Sequence, residues 1–383
     1  MYNNNIFKLS VRKALAMGAL KKTPLYGEHL KLGAKMVEFG GWEMPVYYSN
    51  VISEHLNVRE KAGIFDICHM GEFFIEGNDA FGLIQKLITN DLSSLRDGKA
   101  LYTSMCLENG DIIDDLFVYR LNQNKFMVVV NAGNVEKDFK WFLKHKDFFD
   151  DATIVNKTNE MAKLDLQGPK SEEILQKLTS ADLKQLMRFY FVEAKVNDVL
   201  IIISRTGYTA EDGFELYFSS QMAVDMWNEL LDVGKEFGLK PIGLGARDTL
   251  RIEAGYSLYG HELSESVNPF EAGVGFVVKL EKEDFVGKEA LFKQRGNLKR
   301  KIVAFEMIDR AIARQNYEVF KRGNNIGSVT SGTFSPTFNK PVGMAMVDIN
   351  EANVGNEIEV KIRDSLHKAR VVERPIYRFH GKA

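Results

Sequence analysis

The sequence predicts an α+β protein that ends in a small all-β domain. Two observations lead to this prediction. Up to about residue 298, segments with the apolar spacing of helices alternate with short runs of β-branched and aromatic residues. Beyond that point, strand-like segments are separated only by turns that contain Gly, Asn and Pro, which is typical of a barrel or a sandwich. The interval 285–300 is therefore the expected domain boundary.

Helices are expected in the first part, where apolar residues recur every three or four positions. Ser53 can cap the first of them, and Gly63 lies where helices commonly stop. In the second, Ala80, Ile84 and Leu87 share one face. The expected helices span residues 53–62, 79–88, 133–144, 222–237 and 244–254.

Strands are expected where β-branched and aromatic residues are dense. Residues 116–120 and 126–131 are joined by a short polar turn, which predicts a hairpin. Residues 199–204 and 214–218 flank a Gly-rich turn. In the all-β part, the expected strands span residues 301–306, 317–321, 342–348, 357–362 and 368–373.

The bulk composition is that of an ordinary globular protein. The chain has 383 residues, 45% of them hydrophobic and 27% charged, which fits two or three domains. A formal net charge of -2 provides no basic field for nucleic acid or an anionic membrane. No apolar run approaches the ~20 residues of a membrane helix. The two cysteines, Cys68 and Cys106, fit a reducing compartment, either as buried free thiols or with one as a catalytic thiol.

The first residues of the chain differ in composition from the remainder. Glu28 is the first acid, and apolar residues interleave with the bases Lys8, Arg12, Lys13, Lys21 and Lys22. Such a leader is typical of a mitochondrial transit peptide, and the alternative is a frayed basic tail. We assign residues 1–22 to this leader. It predicts the mitochondrial matrix, or the cytoplasm if the chain is bacterial.

Several kinds of chemistry have no support in the sequence. No two histidines have metal-binding spacing, and His261-Glu262 lacks the second histidine of a zinc-protease helix. The pair Gly243 and Gly245 has no third glycine to complete a dinucleotide fingerprint. There is no Gly-x-Ser-x-Gly elbow for nucleophilic hydrolysis. We therefore expect no metal site.

Asp114 and Asp115 stand at the head of an apolar strand. Because successive strand residues point to opposite faces, one carboxylate can face a cavity while the other does not. Burying a carboxylate is costly unless a partner satisfies it. Alternatively, both residues belong to the turn before the strand, since Asp favours turns.

Glu215 lies within a strand of aromatic and leucine residues. By alternation, Phe214, Leu216 and Phe218 share one face, and Glu215 and Tyr217 share the other. A carboxylate on a half-buried face can accept two parallel N–H bonds, and an amino-pyrimidinone ring offers such a pair. The alternative is an ordinary pair with an Arg on the open face of the sheet.

Arg247 lies near the start of a helix that opens with Gly243-Leu244-Gly245-Ala246. Its guanidinium can bind a carboxylate ligand through two parallel bonds. Alternatively, it pairs within the helix or with Asp248.

Together these segments resemble the aminomethyltransferase (T-protein) family of the glycine cleavage system. Matching motifs occur in order from residue 23 to beyond residue 336, and the ordered set is far more specific than any one of them. They are Thr23-Pro24-Leu25-Tyr26, Gly41-Trp42-Glu43-Met44-Pro45, Phe65-Asp66-Ile67-Cys68-His69-Met70-Gly71-Glu72, Thr89-Asn90-Asp91-Leu92, Asp114-Asp115-Leu116, Gln167-Gly168-Pro169, Arg205-Thr206-Gly207-Tyr208-Thr209, Asp212-Gly213-Phe214-Glu215, Gly243-Leu244-Gly245-Ala246-Arg247-Asp248, Asn268-Pro269-Phe270-Glu271-Ala272-Gly273 and Gly332-Thr333-Phe334-Ser335-Pro336.

The resemblance implies three lobes around a central folate site. Two interleaved α+β lobes would span 23–297, and a C-terminal β-barrel would span 298–383. The implied acceptor is tetrahydrofolate, and the donor is an aminomethyl group on the dihydrolipoyl arm of the H-protein. The products would be 5,10-methylenetetrahydrofolate, ammonia and the reduced carrier. Glycine decarboxylase and dihydrolipoyl dehydrogenase would be functional partners, and neither nucleic acid nor a membrane is expected.

The resemblance also implies roles for single residues. Asp115 matches the essential carboxylate beside the reacting folate nitrogens, and Glu215 matches the glutamate that binds the pterin. The remaining implied contacts are Tyr208, Arg247 and Arg378 near the glutamate tail, Tyr102 and Asn131 in the pterin pocket, and Met70 close to the site. One departure is Ala210, where the family usually has Gly. A positive φ there costs about 1 kcal/mol for Ala.

Two other functions remain as alternatives. One is another folate-dependent demethylase of the same architecture. The other is a non-transferase folate-binding protein that aids iron-sulfur assembly. Such proteins carry a Lys-Gly-Cys-Tyr-type motif, whereas this chain has Tyr259-Gly260-His261-Glu262 in the comparable region and no Cys there.

Overall fold

The computed structural model describes residues 20–381. The first 19 residues, which hold most of the predicted leader, lie outside the described range. Of the leader, Lys21 is described, and it pairs with the adjacent hairpin: its N–H donates to Gly41 O (3.0 Å), and its carbonyl accepts from Glu43 N (2.9 Å). Among the described residues, no helix is long and apolar enough to cross a membrane.

A six-stranded sheet forms one part of the molecule. Its strands, in spatial order, are Phe191–Val196, Val199–Ser204, Gly213–Ser219, Met161–Gln167, Ala62–Asp66 and Leu239–Pro241. All neighbours are antiparallel except the last pair, which is parallel. One face is covered by helix Ala223–Gly234, whose Met226, Trp227 and Leu230 enter the same apolar core as Leu216. Helix Ser171–Gln176 contacts strand Gly213–Ser219 and helix Ala223–Gly234, and helix Tyr26–Lys31 contacts strand Trp42–Tyr47.

A five-stranded sheet forms the second part. Its spatial order is Lys99–Cys106, Ile112–Asn122, Lys125–Val130, Gly71–Glu76 and Thr153–Asn156, and every neighbouring pair is antiparallel. Helices Ala80–Leu87 and Val135–Lys146 pack on one face through Ile84, Leu87 and Phe142. Strands Lys35–Phe39 and Trp42–Tyr47 form a separate hairpin, which pairs with neither sheet. The two sheets meet at a small core that includes Tyr119 and Tyr217.

The chain ends in a closed six-stranded barrel. Its strands, in order around the barrel, are Arg300–Met307, Lys340–Asp348, Asn324–Ser335, Glu318–Lys321, Glu357–Ile362 and Ser365–Val372. Helix Lys288–Gln294 precedes it, and helix Leu244–Glu253 packs between it and helix Val51–Glu60. The predicted α+β class with a C-terminal all-β domain is confirmed.

All predicted helices and strands are present, several of them with shifted ends. The first predicted helix is Val51–Glu60, and its cap is Asn50, whose side chain accepts from Ser53 N; the predicted cap at Ser53 is wrong. The hairpin of 116–120 and 126–131 is confirmed, although its first strand begins earlier, at Ile112. Strand Asn324–Ser335 was not predicted, because its glycines and polar residues resemble a turn.

Both cysteines are buried free thiols. Burial raises the pKa of Cys68 well above its usual value, and Asp66 raises it further. Burial also raises the pKa of Cys106. A reactive thiol needs a lowered pKa, so the structure favours the structural interpretation over a catalytic one.

Candidate functional site

A cavity of about 940 Å³ lies between the two sheets and is closed on one side by the segment 254–277. Its volume lies in the range of small-molecule sites, roughly 300–1,000 Å³. The six-stranded sheet contributes Glu215 and Tyr217 to the wall, and the five-stranded sheet contributes Asp115 and Phe117. Each sheet therefore brings one carboxylate to the same space.

Asp114 and Asp115 lie within strand Ile112–Asn122, so the interpretation that both belong to a turn is wrong. Alternation places Asp115 on the cavity wall, while Asp114 is fully buried behind it. The Tyr102 hydroxyl donates to Asp115 Oδ2 (2.9 Å), and Asn131 Nδ2 donates to Oδ1 (2.8 Å). Burial, and then the negative charge of Asp114, raise the pKa of Asp115 to about 7. Its carboxyl can therefore exchange a proton near neutral pH.

Asn131 joins the two carboxylates. Its Nδ2 also lies 2.8 Å from Asp114 Oδ1, and its backbone N–H donates to Asp114 Oδ2 (3.1 Å). Asn134 Nδ2 adds a further bond to Asp114 Oδ1 (2.7 Å). Asn131 was predicted to line a pocket. The structure places it on the cavity wall, and it also orients both carboxylates.

Glu215 occupies the opposite wall, on strand Gly213–Ser219. Phe214 and Leu216 enter the apolar core on one face, whereas Glu215 and Tyr217 lie on the other, as alternation predicted. Hydroxyl groups of Tyr217 (3.1 Å), Tyr119 (3.4 Å) and Thr206 all donate to Oε2. No hydrogen bond to Oε1 occurs among the described residues, so one oxygen is free to bind a ligand.

The loop before this strand holds Thr206 against Glu215. Gln167 Nε2 donates to Thr206 O (3.0 Å), and Thr209 Oγ1 donates to Gln167 Oε1 (2.7 Å). Gly207 is required at this point, because a Cβ there would lie 2.2 Å from the Gln167 amide. In the same loop Ala210 has φ 61°, so the strain expected for Ala in place of Gly is present.

Arg247 also reaches the cavity, but its guanidinium is already bound to a buried carboxylate. Its Nη1 donates to Asp165 Oδ2 (2.8 Å). Asp165 lies directly across from Glu215 in the sheet and is fully buried, so a cation is needed beside the two acids. Burial raises the pKa of Asp165 to about 7, with Arg247 opposing the shift. Pairing with Asp248 is wrong for Arg247, because Arg251 forms that contact.

Two tyrosines shape the remaining wall. The Tyr208 ring stacks on Tyr256 (5.7 Å between centroids), and its hydroxyl donates to Ser257 O. The Arg247 guanidinium lies 4.8 Å from the centre of the Tyr208 ring. Tyr102 stacks on Phe276 (6.3 Å), which is 67% exposed at the cavity rim. Both tyrosines line the cavity.

Arg378 does not line the cavity. Its side chain is 77% exposed and pairs with Glu373 (3.0 Å). Arg374 reaches the wall instead, where it donates to Gly255 O (2.8 Å) and Ser257 Oγ (2.8 Å). The expected contact of Arg378 with the cavity is therefore not observed, and Arg374 lines the wall instead.

Met70 lines the cavity next to a histidine that was not among the predicted site residues. Lys163 Nζ donates to Met70 O, which fixes the segment. His69 is buried, and its Nδ1 has no partner among the described residues. Burial lowers the pKa of His69 to about 3, so its ring is neutral. His69 stands inside the motif 65–72, which was the available signal. Among residues 20–381, no group of three or more His, Cys, Asp or Glu side chains could hold a metal.

Comparisons with known proteins agree with this architecture. The GCVT N-terminal domain matches residues 25–282, and the glycine cleavage T-protein C-terminal barrel domain matches residues 300–378. The fold is thus that of an α+β aminomethyltransferase with a C-terminal barrel. The chain belongs to the T-protein family of the glycine cleavage system, and it is an enzyme of that system.

Individual relatives are similar over nearly their whole length. An aminomethyltransferase from Caldanaerobacter subterraneus subsp. tengcongensis is 52% identical over 365 residues, which cover 95% of this chain and 97% of the relative. One from Alkaliphilus metalliredigens is 50% identical, with 94% and 99% covered. The crystal structure of aminomethyltransferase T from Bartonella henselae has a TM-score of 0.89 at 32% identity and covers 95% of this chain and 100% of its own. The relatives are bacterial and give no support to a mitochondrial location.

Proposed function

We propose that this aminomethyltransferase moves a one-carbon unit from the aminomethylated lipoyl arm of the H-protein onto tetrahydrofolate. The supporting observation is the placement of Glu215 and Asp115 on two sheets that face one cavity. A pterin ring with N–H donors suits the free oxygen of Glu215, and reacting nitrogens suit the carboxyl of Asp115. The partners would be the H-protein, glycine decarboxylase and dihydrolipoyl dehydrogenase.

Glu215 would bind the pterin. Three hydroxyls on Oε2 fix the carboxylate plane, so a ligand N–H meets Oε1 without reorganising the wall. A second parallel bond requires one hydroxyl to turn away. The pterin therefore gains one full charge-assisted bond, worth roughly 1.5–3 kcal/mol. Arg247 would stay on Asp165 and act on the folate mainly through its charge.

Asp115 would act on the reacting nitrogens. Transfer forms two C–N bonds to the folate nitrogens and breaks two bonds of the transferred carbon, the C–S bond to the lipoyl arm and the C–N bond to the amino group. Each folate nitrogen that becomes bonded to carbon loses a proton. The two protons lost by the folate nitrogens leave on the lipoyl thiol and on ammonia. A carboxyl with a pKa of about 7 accepts such a proton readily near neutral pH. Its charge also stabilises the cation that develops on the transferred carbon.

The glutamate tail would extend toward the basic rim. Arg188 and Lys99 line the cavity, and Arg188 Nη2 donates to Tyr256 OH (3.2 Å). Tyr208 would pack against the tail, while Tyr102 and Asn131 would hold Asp115 in position. For the chain as a whole we propose a folate-binding region at 23–297, a barrel domain at 298–383 and, from its bacterial relatives, a cytoplasmic location.

One assay tests the proposal. The protein is mixed with lipoylated H-protein, glycine decarboxylase, glycine and tetrahydrofolate, and both methylenetetrahydrofolate and ammonia are measured. We expect folate-dependent formation of both, and loss of both in Asp115→Asn with folate affinity retained. Full turnover by Asp115→Asn would remove Asp115 from the reaction. Turnover of methylated amines without H-protein would favour a demethylase, and folate binding without any transfer would favour a non-transferase role.

A further inference from the structure

Asp138 is a buried acid that the proposed reaction does not use. It lies in the first turn of helix Val135–Lys146, which packs on the strand carrying Asp114 and Asp115. Its side chain is fully buried, and neither of its carboxyl oxygens has a donor among the described residues. A carboxylate in such a place is strongly unfavourable. The group must therefore be neutral, with its proton donated to a neighbour.

Asp114 is the neighbour that can accept this proton. It is fully buried and already accepts three N–H bonds from Asn131 and Asn134, which favour its ionised form. Two carboxyls in contact retain one proton between them because both cannot ionise. Burial, and then the charge of Asp114, raise the pKa of Asp138 well above its usual value. The proton therefore resides on Asp138, and the negative charge on Asp114.

The consequence reaches the cavity through Asn131. Its Nδ2 lies 2.8 Å from both Asp114 Oδ1 and Asp115 Oδ1. We propose that Asp138 is a positioning residue: it donates a carboxyl proton to Asp114, and Asp114 in turn fixes the Asn131 amide on Asp115. The pair Asp114–Asp138 carries one negative charge behind the site instead of two. This proposal rests on the proposed role of Asp115.

Other charged and titratable groups face this cluster. On the helix itself, Lys137 Nζ donates to Ile113 O (2.7 Å) and to Tyr259 OH (2.7 Å). From the neighbouring strand, the Tyr102 hydroxyl binds Asp115. Lys137 thus points toward the strand backbone and the segment near Tyr259. The negative charges that raise the pKa of Asp138 are those of Asp114, which is the larger effect, and Asp115.

Infrared spectroscopy tests where the proton is. We compare the wild-type protein with Asp138→Asn, which keeps a neutral donor at the same place, and with Glu136→Gln as a control. Glu136 is exposed in the same helical turn, so its substitution makes the same acid-to-amide change without touching the cluster. At about pH 9, where Asp115 and Asp165 with pKa values of about 7 are ionised, the wild-type spectrum should still contain a carboxylic-acid carbonyl band that Asp138→Asn lacks and Glu136→Gln retains. Retention of that band in Asp138→Asn would overturn the proposal.

Turnover tests the consequence. Asp138→Asn should keep near wild-type kcat, whereas Asp138→Val should lower kcat at least about tenfold, as expected for one lost bond to a charged group, with little change in the KM for folate. In the Asp114→Asn background, adding Asp138→Val should lower kcat little further, because no Asp114 carboxylate remains to accept the bond from Asp138. A larger loss in Asp138→Asn than in Asp138→Val, or equal losses with and without Asp114, would overturn the proposal. If Asp138→Val does not fold, the Asn variant and the infrared band still decide. Full turnover by Asp115→Asn would refute the proposed function alone, since the infrared band does not depend on it.

Discussion

Replacing Glu215 with Gln removes the charge from the cavity wall that we propose faces the folate, while the shape of the wall is kept. The structure sets the size of the effect. Oε2 already accepts three hydroxyls, so a ligand can gain one full bond, at Oε1. Losing the charge assistance of that bond is worth roughly 1.5–3 kcal/mol, which corresponds to a rise in the folate Kd of about 10- to 150-fold. An amide N–H turned toward the ligand donor would place the effect at the upper end.

Isothermal titration calorimetry with tetrahydrofolate measures this change directly. Tyr217→Phe is the matched control, because it removes one hydroxyl from Oε2 (3.1 Å) and leaves Oε1 and the charge in place. We expect the folate Kd to rise several-fold in the Tyr217→Phe control and about 10- to 150-fold in Glu215→Gln. Thermal melting should show that both variants are folded. An unchanged Kd in Glu215→Gln would refute the assignment of Oε1 to the ligand. A larger loss in the Tyr217 variant would place the ligand contact on the hydroxyl instead.

Three further predictions concern stability and pH. Because the pKa of Asp115 is raised from 3.8 to about 7, the folded state binds this proton more tightly than the unfolded chain. That contribution is complete below about pH 4 and is lost as the pH rises through 7. The Tm of Asp115→Asn, measured relative to the wild-type Tm, should therefore be higher at about pH 8 than at about pH 5. The same difference in Tm at the two pH values would contradict this. Arg247→Met should lower the free energy of unfolding in urea by about 3 kcal/mol, because the buried Asp165 loses its partner. Adding Asp165→Asn should recover part of that loss. No recovery would mean that the two residues are not coupled. Ala210→Gly should stabilise by about 0.5 kcal/mol in the same assay, because relief of the strain at φ 61° exceeds the added chain entropy; destabilisation would show that the Ala210 methyl packs better than the strain costs.

Local patterns predicted those features that depend on local physics. Alternation around Glu215 holds because Phe214 and Leu216 both enter an apolar core, which fixes the register of the strand. The same rule separates Asp114 from Asp115. The helices that cover the sheets were predictable because each presents one apolar face. The change of residue types near residue 298 likewise predicts a boundary between the mixed and the all-β parts.

Features set by tertiary contacts could not be predicted in this way. Strand Asn324–Ser335 has few apolar residues and is irregular next to residue 330, yet it pairs on both sides within the closed barrel. Arg247 finds its partner 82 positions away, at Asp165, and no local pattern records that contact. Arg374 and Arg378 are alike in sequence, and only the path of the chain decides which of them reaches the cavity.

The order of strands along the chain has a consequence for how the protein assembles. Residues 71–156, which hold the five-stranded sheet, are inserted between two strands that pair with each other, Ala62–Asp66 and Met161–Gln167. During synthesis all strands of the sheet that carries Asp115 emerge before the strand with Glu215 does. A chain in which only this sheet has folded therefore presents one wall of the proposed site, and folate binding does not stabilise it. Under the proposed function, folate binds when both sheets face one cavity, so the ligand stabilises the joined sheets and not either sheet alone.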